Sequence, residues 1–277
     1  MAIAVGVLVP RDHANEIEVD DVVERFRAST VPITTEPLPL SPERDAAETV
    51  SSTSVESSEA AETAGSTTIA APEPVPLVAP GVYVYDTTGF ESIDALSGVT
   101  HEYPAETTIT VIAGGCGVSL RWDALEERRE EWQLCATPDG VVLHPESLQY
   151  HEFFDQETPE AVLCDVPVLV VPVTGEAFEP VARTCTIVDR PWLPVWEVLG
   201  TDVREVDGES IDVRHVRMTI DDNDDHYEHY VADWWLAPDG LPVALDVVKQ
   251  SKSPSVVGDV VYDEFIHLEL VSSEPLR

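Results

Sequence analysis

The sequence predicts a mainly β protein, a strongly curved antiparallel sheet or open β-barrel with few helices, preceded by a disordered linker. Three observations lead there. Apolar and polar residues alternate in TITVI (residues 108–112), LPVALDVV (241–248) and VYDEFIHLEL (261–270), the period of strands with one buried face. Asp-Gly pairs recur at Asp139-Gly140, Asp207-Gly208 and Asp239-Gly240, each between β-rich runs, and such pairs supply the positive φ that tight hairpin connections need. Residues 29–80 are rich in Ser, Thr, Glu, Ala and Pro, a composition that cannot bury enough apolar surface to offset chain entropy.

In chain order, residues 1–9 (MAIAVGVLV) form an apolar stub. A spanning helix needs about 20 apolar residues, and a signal peptide needs a basic region before its apolar core. The stub is expected to be the outer half of a truncated membrane helix, with an exposed N-terminal arm as the alternative. Residues 10–28 should hold one short helix, because Ile17, Val19, Val22, Val23 and Phe26 make a partial helical stripe. Acids stand early in it and Arg25 and Arg27 late, as the helix dipole favours. Residues 29–80 then act as a stalk that lifts a domain off a membrane.

Residues 81–277 are expected to be the antiparallel β domain, with all four cysteines and all six tryptophans. In its last strand Tyr262, Ile266, Leu268 and Leu270 share one face, and Asp263, His267 and Glu269 the other. DALEERREEW (123–132) has a helix-like composition, but it reads better as a strand with a charged outer face.

The formal charge is -38, from 53 acidic against 15 basic residues. Phosphate binding needs a Lys/Arg field, so nucleic acid is excluded as a partner. Anionic membrane surfaces are disfavoured too, which leaves a tether as the route to a membrane. Lys249 and Lys252 are the only lysines. An acidic, lysine-poor surface suits a salt-rich medium, and a GC-rich genome would give the same bias.

Cys116, Cys135, Cys164 and Cys185 lack the short C-x₂₋₄-C knuckles of zinc sites. GGCG around Cys116 supplies no neighbouring base for a nucleophilic thiol. An even count at intermediate spacing favours disulfides between nearest neighbours and an extracytoplasmic, oxidising location. One difficulty is register. A hairpin centred between Leu125 and Glu126 sets Cys116 opposite Cys135, but it puts Val118, Leu120 and Trp122 on the face of Gln133, Glu131 and Arg129. A one-residue shift restores a common apolar face with Trp132 and Leu134, and a bulge near residues 114–117 would reconcile the two.

DDNDDHYEHY (221–230) is the most metal-like stretch, yet His226 and Ala232 stand where a calcium loop needs glycine and glutamate. His226 and His229, three apart on a strand, point to opposite faces. A solvated acidic turn is the expectation, with no metal, cofactor or catalytic residue assigned. GESID (208–212) lacks the final glycine of a nucleophile elbow. Trp192, Trp196, Trp234 and Trp235 either fill the core of a curved sheet or line a ligand cavity and its mouth.

The stalk and the strand YVADWWLAPDGLPVALDVV make the chain similar to a group of actinobacterial membrane-tethered or secreted proteins. The W-L-x-P-D-G-L-P turn at residues 235–242 also resembles the hairpins of the lipoprotein-carrier family, whose open β-barrel holds acyl chains. Those carriers pack helices into the barrel, and few helical runs occur here. The tryptophan-rich curved sheet leads to the expectation of a non-catalytic extracytoplasmic β domain held on a stalk, with binding of a lipid or other hydrophobic small molecule as its most specific version. The alternative is a protein-interaction or sensor ectodomain that meets a surface protein, and third stands a hydrolase.

Overall fold

The computed structural model describes residues 14–29, 75–95, 98–174, 177–187, 190–222, 228–255 and 258–277. The apolar stub, most of the stalk and His226 lie outside the described residues. Those described form one helix, α1 (Val19–Ser29), and seventeen strands joined in one antiparallel sheet.

Long strands make its main run: β13 (Val195–Val206), β14 (Glu209–Asp222), β15 (Glu228–Leu236), β16 (Pro242–Ser255), β17 (Gly258–Leu270), β1 (Gly81–Ile93), β3 (Glu106–Gly114), β4 (Gly117–Leu125) and β5 (Arg128–Thr137). The short β2 (Val99–Glu102) pairs with the far half of β1. At β5 the sheet forks. Residues 134–137 pair with β6 (Gly140–Leu143), which pairs with β9 (Val168–Pro172). Residues 128–131 pair with β7 (Glu146–Phe153), which leads through β8 (Gln156–Cys164) to β11 (Cys185–Ile187) and β12 (Arg190–Trp192). β10 (Val181–Ala182) pairs with the start of β13. The sheet curls until β9 faces β13 and β14, but it is not closed into a barrel.

All three Asp-Gly pairs stand at strand connections. Asp207 (φ 49°) and Gly208 (φ 79°) form a two-residue turn between β13 and β14, as a primed hairpin turn requires. The β7–β8 turn does the same with Phe154 (φ 56°) and Asp155 (φ 57°), which no turn signal in the sequence announces. α1 lays Val22, Val23 and Phe26 on Val82 of β1.

The β4–β5 hairpin takes the shifted register, with Val118 opposite Leu134 and Leu120 opposite Trp132, so both apolar residues of each pair face the core. The bulge lies between Asp123 and Leu125, at the hairpin end, and not near residues 114–117. Cys116 sits in the β3–β4 turn beside Gly117, the residue opposite Cys135, and so it reaches that cysteine without holding a ladder position. Both nearest-neighbour disulfides form, Cys116–Cys135 and Cys164–Cys185.

A second expectation is also corrected. DALEERREEW does run as strand, turn and strand, but its charges are not all on an outer face: Arg128, Glu130 and the turn residue Glu127 are buried. The physical reason is that each has a specific partner: Arg128 meets Glu264 of β17 and Glu130 of its own strand, and Glu127 accepts from the backbone and side-chain N–H groups of Asn15.

Candidate functional site

Two regions of the interior stand out chemically. The first is ionic and lies where β5 and β7 approach β16, β17 and β1. Glu91 of β1 is fully buried and is held by two imidazoles. His101 Nδ1 stands 3.0 Å from one carboxylate oxygen and His151 Nδ1 3.0 Å from the other. Tyr262 Oη–H donates to the His151-side oxygen at 3.1 Å. Alongside, Arg128 donates through Nε to Glu264 Oε1 at 2.8 Å, through Nη1 to the Arg129 carbonyl at 2.9 Å, and through Nη2 to Glu130. Tyr103 Oη–H donates to Glu264 Oε1 at 2.6 Å.

Strand alternation places these groups: Glu91, Arg128, Glu130, Tyr262 and Glu264 follow the inward period of β1, β5 and β17. Burial opposes the Glu91 charge, but the hydrogen bonds from His101 and His151 outweigh it and hold the carboxyl down at about 2. Burial likewise opposes the Glu264 charge, and the Arg128 guanidinium beside it keeps its carboxyl below the usual range. Burial, then the neighbouring carboxylates, push the Tyr103, Tyr230 and Tyr262 hydroxyls well above their ordinary value.

This cluster contains the acid–base types of a catalytic centre, and its geometry uses them on one another. Both Glu91 oxygens, three Arg128 nitrogens and the Tyr103 hydroxyl are committed to neighbouring groups. Among the described residues, no group of three or more His, Cys, Asp or Glu is placed to hold a metal ion.

The second region is the seam where the curled sheet stays open. A cavity of about 370 Å³ lies between β9 and β13, lined chiefly by Val168, Leu169, Phe178, Val181, Trp196 and Val198, with Glu179 and Glu197 also on its wall. A second cavity of about 460 Å³ continues the seam between residues 171–173 and residues 212–214, and Val75 forms part of its wall. Among the described residues, β13 beyond Trp196 is paired only with β14. Its other flank beyond that point carries no paired strand among the described residues.

The tryptophans divide between these roles. Trp196 and Trp234 share an apolar pocket of about 30 Å³ with Leu120, Trp132 and Leu134, and Trp132 packs edge-on against Trp234 at 4.9 Å. Trp196 also reaches the seam cavity. Trp192 is elsewhere, donating its indole N–H to Glu228 at 3.3 Å beside a cavity of about 280 Å³. Trp235, one residue from Trp234 and so on the opposite face, lies between the His215 ring, stacked at 4.6 Å, and Arg204, 4.1 Å from its centre.

Sequence reading did not single out Glu91, His101, Arg128, His151 or Glu264. Glu264 at an inward position among Tyr262, Ile266 and Leu268 was the available signal, a charge on the apolar face of an alternating strand. Cys164 and Cys185 are directly opposite on β8 and β11, and their bridge ties the β10–β12 segment beside the seam to the rest of the sheet. Comparison with protein families, with characterised proteins and with solved structures finds no match to this chain.

Proposed function

We propose that the protein is a non-catalytic extracytoplasmic binding domain that takes an apolar group of a partner protein in the seam between β9 and β13. The observation that carries this reading is the 370 Å³ cavity, apolar over most of its wall. Phe178 and Val181 of that wall are exposed to solvent. A protein group suits this place better than a free acyl chain. The tryptophan-lined interior leaves about 30 Å³, against the several hundred Å³ that enclosed ligand sites offer. The two disulfides support an oxidising compartment, and the stalk-like composition of residues 30–74 supports a domain held at a distance from its anchor.

The test is titration of the intact chain with Nile red, a neutral solvatochromic dye, followed by its emission and by energy transfer from tryptophan. Saturable brightening that Val181→Asp abolishes supports the reading. Absence of brightening, or brightening that Val181→Asp leaves intact, contradicts it. Displacement of the dye by palmitate at micromolar concentration would return the occupant to a lipid.

A further inference from the structure

The outer face of the sheet, opposite the ionic cluster and the seam, is half covered by α1. Val82 of β1, Thr110 of β3, Arg121 of β4, Glu131 of β5, Leu148 of β7 and Ala161 of β8 stand opposite one another in turn. Cross-strand partners share a face, so this row marks one surface. The residues next to it along the strands, such as Tyr83 and Leu120, point the other way into the core. At the β1 end α1 lays Val22, Val23 and Phe26 on Val82, and Thr110 is buried there as well. At the β8 end the same surface is open. Ile112, Leu148 and Leu163 are 39%, 36% and 50% exposed, and with Gln133, Glu146 and Ala161 they line a groove of about 460 Å³.

The path of the chain says what can cover that groove. Ahead of α1, Asn15 is pinned at the β4–β5 turn: the Glu126 N–H donates to its carbonyl at 3.0 Å, and its own N–H donates to the Glu127 carboxylate at 2.9 Å. Its side-chain amide donates to the same carboxylate at 2.5 Å. From that turn Glu131, on the groove wall, is four residues along β5, or about 13 Å. Residues 1–13 lie outside the described residues, and the first nine of them, MAIAVGVLV, have no charged side chain. Six residue steps from Asn15 to Val9 give a reach of up to about 20 Å. The apolar stretch is therefore tethered within range of the groove, at an effective concentration of about millimolar.

We infer that residues 1–9 dock in this groove, with their aliphatic side chains against Ile112, Leu148 and Leu163. The N-terminal part of the chain then covers the outer face from β1 to β8, and an apolar stretch that would otherwise meet a bilayer is held against its own domain. A second copy of the chain is a poorer occupant. It brings a formal charge of -38 to an equal charge, and three partly exposed side chains fall far short of the roughly 800 Å² that each partner of a stable complex buries. This inference is independent of the seam.

The test puts the photoreactive residue p-benzoylphenylalanine in place of Val7 in the intact chain, irradiates it with phosphatidylcholine vesicles present, and maps the products by peptide mass. The expected product is an intramolecular crosslink to residues 112–113, 146–148 or 161–163, absent when the chain is unfolded in urea. Leu148→Asp with Leu163→Asp, two exposed positions, should reduce it at least about tenfold with the circular dichroism spectrum unchanged. Crosslinks elsewhere in the chain, crosslinks joining two copies, lipid adducts in place of the groove product, or no product beyond that of the unfolded chain would each overturn the inference. So would a groove crosslink that survives the double substitution.

Discussion

The two ends of this interior use the same curved sheet in opposite ways. Where β5 and β7 meet β16, β17 and β1, the space is filled by Glu91, Arg128, Glu130 and Glu264, whose charges answer one another at hydrogen-bond distance. Where β9 meets β13 and β14, most of the groups are apolar, no pairing between β9 and β13 or β14 is present among the described residues, and cavities remain. A buried ion pair is poor evidence of stability relative to an apolar core, but once built it strongly penalises loss of any member. The ionic end therefore fixes the relative position of strands that are distant in sequence. The apolar end has no such network of mutually dependent charges among the described residues.

Removing the cation of the ionic end should have the largest effect. Arg128→Met leaves Glu264 and Glu130 buried without their guanidinium and is expected to cost about 3–5 kcal/mol in urea unfolding. Adding Glu264→Leu should recover part of that loss. Recovery of none would mean that the two groups are not coupled and that the end is held by packing alone.

Loss of the bridge nearest the seam comes next. Cys164 and Cys185 are 21 residues apart, a loop whose closure is worth about 3 kcal/mol on the chain-entropy model. Replacing both by serine should lower the urea midpoint accordingly and raise proteolysis within residues 177–187 before any cleavage in β5.

Acid should also unlock the ionic end. The Glu91 carboxyl is held at about 2 in the folded protein against 4.5 ordinarily. Its stabilising contribution is therefore fully present above about pH 4.5 and is lost as pH falls through 2. At 1.36 kcal/mol per unit the contribution is about 3 kcal/mol. Glu264, also lowered, adds to the same slope. Measured stability should fall between pH 4.5 and 2, and Glu91→Gln should flatten the fall.

The smallest stability effect belongs to the seam. Val181 is 43% exposed, so Val181→Asp should change unfolding free energy by no more than about 0.5 kcal/mol while it removes Nile red binding. A large loss of stability would show that the seam is part of the folded core rather than a place for a guest.

The sequence disclosed the strand period, the Asp-Gly turns and the oxidised cysteine pairs, because each depends on neighbours along the chain. Tyr262, Ile266, Leu268 and Leu270 do share a buried face of β17. The ionic cluster was not legible, for a physical reason: Glu91, Arg128 and Glu264 are buried only because strands 37 to 173 residues apart bring opposite charges together. In a chain of 53 acids, no single glutamate stands out as one of those. The seam was hidden likewise, since nothing local says that β9 will face β13 and stop short of pairing. Of the four tryptophans considered for a cavity, only Trp196 lines the seam cavity. Trp234 shares a small internal pocket with it, Trp192 borders a separate one, and Trp235 faces the other way.

Native-state amide hydrogen exchange tests the contrast most directly. Residues 128–131, paired on both sides by β4 and β7, and residues 263–266 of β17 should exchange only through global unfolding. Residues 168–172 and 199–206, at the seam, should exchange at least about a hundredfold faster through local opening. Uniform protection across both ends, or slower exchange at the seam than at the ionic end, would contradict the account.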